Sequence, residues 1–480
     1  MIKNLIFFGI LVAITVIYAV NNPRGHARAF RVRSWLNWFP MGLTYAFLYM
    51  ARYNLTVVKN ALGDELMPKE SFGMIFAAGT ITYAFSFLVN GPLVDRIGGR
   101  KGIIIGATGA AVMNIAMGIL TWLFLARGMA VNLTIAFSVL YAINMYFQSY
   151  GAVSIVKLNS HWFHVKERGV FSGIFGTLIS LGIYFAFDWG QSIVNATVAK
   201  APEGLGLVES FLRGLLGSDG AAVNQTWYVF FIPAGILVSF VIIELFLLRD
   251  KPSQAGHEDF DTGDASSGEM DQEIGAFAII RKIITNPIIL TVAAIEFCSG
   301  VIRNGIMHWY FIFAKEIGMP GATLFFKENW GLLLCFAGIF GGFFAGTVSD
   351  KLFQSRRGPS AAFMYAGMLA GTIVMAVFLR RSPLVLGIAV VFISLCVIGV
   401  HGLLSGTATM DFGGRRGAAT AVGMIDGFVY LGTGVQSISL GFITSRSWDF
   451  WPVFLIPFAV LGTGLAIRIW TAFPHARRKG

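Results

Sequence analysis

Charge is scarce in this chain. Only 13% of its 480 residues are Asp, Glu, Lys or Arg, too few to cover a soluble body of that size. Cysteine is scarcer still. Cys298, Cys335 and Cys396 all fall inside apolar runs, which excludes a disulfide framework or a thiolate metal cluster. The motifs of covalent chemistry are missing too. There is no glycine-rich phosphate loop with its lysine, no HExxH helix pair and no GxSxG elbow. The expectation is that the protein is not an enzyme, uses no cofactor and no metal, and that any transport is secondary.

What fills the chain is apolar: 56% of it is hydrophobic and its mean hydropathy is +0.70. A spanning helix takes about 20 apolar residues, and twelve such runs follow one another between residues 35 and 472. The 57 glycines suit close packing of transmembrane helices. The reading is an all-α polytopic membrane protein with the lipid bilayer as its surroundings, placed in the bacterial inner membrane. A net charge of +11 raises the question of nucleic acid. The basic residues answer it by gathering in short loops between runs: Arg96, Arg100 and Lys101; Lys166 and Arg168; Lys351, Arg356 and Arg357; Arg415 and Arg416. That is the pattern of cytoplasmic loops facing anionic lipid, so no nucleic-acid partner is expected.

The chain divides as follows. Residues 1–22 read as an extra N-terminal helix, its start outside, because Arg24, Arg28, Arg31 and Arg33 come next. Residues 35–248 make an N-terminal six-helix half, 249–283 a flexible acidic cytoplasmic linker, 284–472 a C-terminal six-helix half, and 473–480 a basic cytoplasmic tail. The halves repeat. GPLVDRIGGRKG (91–102) is echoed by GTVSDKLFQSRRGP (346–359), Arg168-Gly169 by Arg416-Gly417, and Arg52 by Arg303, at nearly constant spacing. Parallel six-helix repeats of this kind form the major facilitator plan, with a substrate site between the halves near the membrane midplane.

Arg52 and Arg303 are the strongest site candidates. Each lies near the middle of a long apolar run, where a guanidinium stays charged and needs water or an anion. Tyr45, Tyr49 and Arg52 are spaced by four and three, so they share a helix face. The plainer reading is structural pairing, for Arg303 with Glu296, about two turns earlier on the same face, through a neighbouring helix or water.

GPLVDRIGGRKG, YAFLYMARYNL, QSYGAVSIVKLNSHWFHVKERG, GVIRNGIMHWYFIFAKEIG and RRGAATAVGMIDGFVYLGTG together resemble the organophosphate:phosphate antiporter family of the major facilitator superfamily. That family includes the glycerol-3-phosphate and hexose-phosphate transporters, and the resemblance covers about 35–472. It implies twelve helices in a 6+6 arrangement and exchange of a phosphorylated small molecule for inorganic phosphate by alternating access, in a protein active as a monomer. It also implies that Arg52 and Arg303 bind the phosphoryl group, with His161, Tyr45, Tyr49 and Tyr430 as further substrate contacts. Lys157, His401 and Asp426 are additional candidates. Asp95, Arg96, Arg100, Asp350 and Lys351 are expected to latch a cytoplasmic gate. The chain departs from the family pattern at Phe87, where some members carry a basic residue, at Cys335 for a glutamate and at His308 for an acidic residue. These departures keep two alternatives open: a transporter-like membrane sensor of sugar phosphates, and a carrier of another organic anion.

Overall fold

The structure is a computed structural model, and it describes residues 2–201, 204–262, 285, 287–318, 321–353, 356–404 and 409–471. Among these every regular element is a helix. The first set is α1 (Ile2–Val20), α2 (Arg28–Leu66), α3 (Lys69–Ile97), α4 (Gly99–Arg127), α5 (Leu133–Trp162) and α6 (Val165–Tyr184). A π-helical turn, Phe185–Trp189, carries α6 into α7 (Gly190–Thr197), followed by α8 (Leu207–Leu215) and α9 (Tyr228–Leu247). The second set is α10 (Pro287–Met307), α11 (Trp309–Ile317), α12 (Ala322–Glu328), α13 (Trp330–Thr347), α14 (Arg357–Phe378), α15 (Pro383–His401), α16 (Thr409–Arg446) and α17 (Phe450–Arg468).

Among the described residues, nine helical stretches are long and apolar enough to cross a membrane, with α6–α7 and α10–α11 each counted as one. Three more long helices, α2, α5 and α16, complete a set of twelve. Their apolar character is diluted by buried polar residues: Arg52, Asn54 and Lys59 on α2, Asn144 and Gln148 on α5, Thr433 and Gln436 on α16. Polar groups at that depth face the bundle interior, not lipid. The outward faces keep large bare side chains, such as Phe85, Phe246 and Phe343. The protein is a multi-pass integral membrane protein.

Local chemistry sets several of the boundaries. The Asn132 side chain accepts the Ile135 N–H (3.1 Å) and starts α5. Gly98, at φ 91°, makes the tight turn from α3 to α4. The long helix carrying Arg303 breaks at His308. Two indoles take up carbonyls freed there: Trp451 Nε1 donates to Gly305 (2.8 Å) and Trp330 Nε1 to Met307 (2.8 Å).

Helices α2–α9 form one bundle and α10–α17 the other. They meet mainly along α3 against α16 and α6 against α13. Within the second bundle α10 and α16 touch backbone to backbone. A Cβ on Gly300 would collide with the Val429 carbonyl, and one on Gly432 with that of Phe297. Helix α1 lies against α6. Phe7 packs on Phe185 and Trp189, and Tyr18 on Trp38, while Leu5, Phe8 and Val12 point outward.

The segment after α9 differs from the free tether its polar composition suggests. Its first part, residues 249–262, is docked on the N-terminal bundle. The Arg249 N–H donates to Asn37 (2.8 Å), Trp162 Nε1 donates to the Arg249 carbonyl (3.0 Å), and Asp250 accepts the Arg100 N–H (2.8 Å). Phe260 packs on His26 and Phe30. These polar groups are bonded to α2, α4 and α5. The remainder of the expected linker, from residue 263, and the tail 473–480 lie outside the described residues.

Candidate functional site

Arg52 has no exposed surface. Its Nε donates to Gln148 Oε1 (2.9 Å), Nη1 to the Tyr430 hydroxyl (2.7 Å) and Nη2 to the Tyr83 hydroxyl (3.1 Å). The rings of Tyr83 and Tyr49 flank the guanidinium at 4.5 and 4.7 Å, an arrangement that attracts a cation to the π face. The backbone is held as firmly: Tyr141 donates to the Arg52 carbonyl (3.1 Å), and Asn114 to that of Ala51 (3.0 Å). Every acceptor on the guanidinium is neutral. A guanidinium has five N–H donors, so two remain for something else.

Arg303 comes in from the other bundle, on α10, and is only partly covered. Its guanidinium carbon lies 5.9 Å from the Tyr430 ring, and that of Arg52 lies 5.7 Å from the same ring. The two charges are therefore no more than about 12 Å apart. The Nε of Arg303 is buried without a hydrogen-bond partner. Among the described residues no carboxylate forms an ion pair with either arginine. Glu296, the structural partner that spacing suggested for Arg303, bonds His401 instead (Oε2 to Nδ1, 2.9 Å). A third helix supplies that partner, which spacing along one helix cannot reveal.

Outward of the arginines the bundles are sealed together. Thr56 bonds His308 (2.8 Å), Asn60 donates to the Phe311 carbonyl (3.0 Å), and Asp188 accepts the Gly331 N–H (2.8 Å). At the rim Lys69 pairs with Glu316 (2.9 Å) and sits 4.8 Å from the Trp448 ring. Two cations, neither in an ion pair among the described residues, thus stand beneath this seam. Forked N–H groups of this kind suit the oxygens of a multiply charged oxyanion.

Residues 41–437 match the sequence profile of the Major Facilitator Superfamily. The chain belongs to the major facilitator superfamily. Among its relatives is the glycerol-3-phosphate transporter of Bacillus subtilis, 26% identical over 90% of this chain and 91% of that one. A probable hexose phosphate transport protein of Chlamydia trachomatis is 24% identical over 92% of both chains. The membrane sensor protein UhpC of Escherichia coli is 23% identical over 91% of both. In fold the chain is similar to a bacterial homologue of the human lysosomal transporter Spinster, solved inward-facing and unoccupied. The TM-score there is 0.68, at 16% identity over 93% of this chain and 99% of that one.

The facilitator fold brings some of the sequence candidates together and keeps others apart. Tyr49 and Tyr430 stand at the arginines. Tyr45 is one turn toward the cytoplasm, its ring 5.3 Å from that of Tyr49. His161 is not brought to them. It lies on α5 more than three turns beyond Gln148, or about 20 Å along the axis. There it lines a cavity of about 200 Å³ with Lys251, Asp259 and Phe260 of the docked segment. Asp259 is held below the ordinary carboxylate range, first by the Ser253 backbone N–H (2.9 Å), then by the Ser253 hydroxyl, with Lys251 and His161 adding attraction.

Lys157 also stays away from the arginines and pairs with Asp95 (3.0 Å), joining a substrate candidate to a gate candidate within one bundle. Arg100 donates to the Leu245 carbonyl (2.6 Å) and, through its backbone, to Asp250, so it fastens the docked segment. Arg96 is exposed, as is Lys351 on the π-helical turn Val348–Leu352. The side chain of Asp350 is outside the described residues. His401 is bound to Glu296. Asp426 precedes Tyr430 by one turn on α16.

The departures from the family pattern have places here. Phe87 packs edge-on to Tyr83 (4.6 Å), His308 closes the seam with Thr56, and Cys335 is buried in α13. Three residues at the site escaped the sequence reading: Tyr53, Tyr83 and Gln148. Tyr53 had a signal, since Tyr45, Tyr49 and Tyr53 recur every four residues. Tyr83 and Gln148 had none of their own, because each is defined by contact with another helix.

Proposed function

We propose that this protein is a secondary transporter that exchanges a phosphorylated small molecule, of the glycerol phosphate or sugar phosphate type, for inorganic phosphate. One observation carries the reading. Arg52 and Arg303, one from each bundle, converge on Tyr430 with no carboxylate paired to either guanidinium among the described residues. The names of the relatives support the substrate class.

In this reading the phosphoryl group bridges the two guanidiniums. Without it, two like charges no more than about 12 Å apart repel by roughly 1.4 kcal/mol or more at an effective dielectric of about 20. That cost resists closure of an empty site, and an anion held from both sides removes it. The bundles can then rock so that the site opens to one side and then the other. Return without cargo is disfavoured, which makes exchange tighter than leak. Both arginines come from one chain, so a monomer suffices. The outer seam through Lys69–Glu316 and Thr56–His308 is the part that must part for the outward-open state.

The test is uptake of labelled phosphate into proteoliposomes loaded with phosphate, with glycerol 3-phosphate and hexose 6-phosphate as outside competitors. Exchange in the parent protein, its loss in Arg303→Lys, and competition by an ester are the expected results. Unimpaired exchange in Arg303→Lys sinks the clamp. The relative named as a membrane sensor supplies the second reading. Phosphate-ester binding without any exchange would favour it.

A further inference from the structure

Seven residues before Arg303, on the same helix, Glu296 is fully buried and its Oε2 is hydrogen-bonded to His401 Nδ1 at 2.9 Å. Its second oxygen, Oε1, has no partner. His401 sits at the cytoplasmic end of α15 with its side chain 24% exposed. The pair therefore joins an accessible imidazole to a carboxylate in the helix that presents Arg303. A carboxylate at that depth is costly and is usually functional.

We propose that Glu296 and His401 form a proton-binding site in the C-terminal bundle, loaded when an oxyanion occupies Arg303. The inference rests on the oxyanion reading of the arginine pair. With the imidazole neutral, Nδ1–H donates to the carboxylate and the pair carries one negative charge. A proton from cytoplasmic water added at Nε2 gives an imidazolium–carboxylate pair of zero net charge. No other bond changes.

An anion at Arg303 lies about 10 Å along the helix from Glu296. At an effective dielectric of about 20, one negative charge at that distance favours the protonated pair roughly tenfold. By reciprocity, protonation tightens anion binding by the same factor. The cargo and the counter-cargo differ in charge near neutral pH, and a proton site of this kind offsets the difference.

The other titratable and charged groups on the helices around the pair are few: α13, packed on α15, adds Cys335, and α12 adds Lys327 and Glu328. On α10 itself stand Cys298 and Arg303. From α14 comes Tyr365, whose hydroxyl is spent on the Ile295 carbonyl (2.5 Å), and Arg357 at the helix start. Helix α15 adds Cys396, α17 carries only Arg468 at its cytoplasmic end, and the described side chains of α16 contribute Asp426, Tyr430 and Arg446.

The experiment is ¹⁵N NMR of histidine-labelled protein titrated between about pH 5 and 8, with and without saturating inorganic phosphate. The chain has seven histidines, and His401→Gln assigns the resonance. The midpoint of His401 should rise by about one pH unit on phosphate addition, the tenfold effect above. It should fall in Glu296→Gln whether phosphate is present or not. In weakly buffered solution phosphate binding should draw up to about half a proton per chain into the parent protein, the most that a one-unit shift allows, and neither variant should show this uptake. Bound phosphate with an unmoved His401 midpoint, or undiminished proton uptake in both variants, overturns the proposal. If the parent protein binds no phosphate at all, the transport reading falls. The Glu296→Gln midpoint then decides the pair alone, and an unshifted value rejects it.

Discussion

Replacing Arg52 by lysine separates charge from geometry. Lysine keeps the positive charge but ends in a compact ammonium with three donors in place of a planar fork with five. Arg52 aims three N–H groups at Gln148, Tyr430 and Tyr83, leaving two for an anion in the proposed clamp. An ammonium cannot serve three acceptors in different directions and also present a fork. At least one charge-assisted hydrogen bond to the anion is lost, at about 1.5–3 kcal/mol. That corresponds to phosphate binding weakened roughly 10- to 150-fold. The measurements are the KM for phosphate exchange in proteoliposomes and the phosphate-induced rise in Tm of the purified protein. Arg52→Gln, which removes the charge as well, should be worse. Phosphate binding by Arg52→Lys within about threefold of the parent would show that charge alone matters, and the fork argument would be refuted.

Other perturbations probe the frame around the site. Gly300→Ala forces α10 and α16 apart at the Val429 carbonyl and should cost about 1–3 kcal/mol, read as a lower Tm in detergent. Lys69→Met removes the Glu316 pair and the Trp448 contact, together worth about 1–2 kcal/mol at most. Labelling of a Thr56→Cys variant by a membrane-impermeant maleimide from outside should then speed up severalfold, and an unchanged rate would mean that the rim does not hold the seam. Asp449 lies outside the membrane, and its carboxyl is held below the ordinary value by Arg380 (2.7 Å). The stability from this depressed group is present at neutral pH and lost as pH falls below about 4. Because the pair is exposed, Asp449→Asn should leave Tm at pH 7 nearly unchanged and only flatten its acid limb.

The twelve spans were legible because lipid imposes long apolar runs and positive loops at the membrane face. Arg52 and Arg303 were legible for the same reason, as charges where lipid tolerates none. Their surroundings were not. Tyr83 and Gln148 matter because α3 and α5 bring them to Arg52, and Glu296 meets His401 from a distant helix. Those pairings depend on packing, which one helix's periodicity cannot encode. His161 was placed through a motif, but a motif fixes position along the chain and not depth. The residue that α5 delivers to Arg52 is Gln148, and His161 is left near the C-terminal end of α5. The docked 249–262 segment was hidden by its composition, since a polar strip bonded to helices looks the same in sequence as one in water.

The break at His308 also makes the protein its own optical gauge. Trp330 and Trp451 donate to the carbonyls just below it, Trp309 follows it, and Trp448 lies under Lys69 at the rim. Four of the eleven tryptophans are thus gathered where the outer seam must part. Opening there would wet Trp448 and loosen its ring contacts with Trp309 and Trp451. Intrinsic fluorescence of the unlabelled protein should therefore report seam opening as a red shift, with Trp448→Phe as the control that silences it.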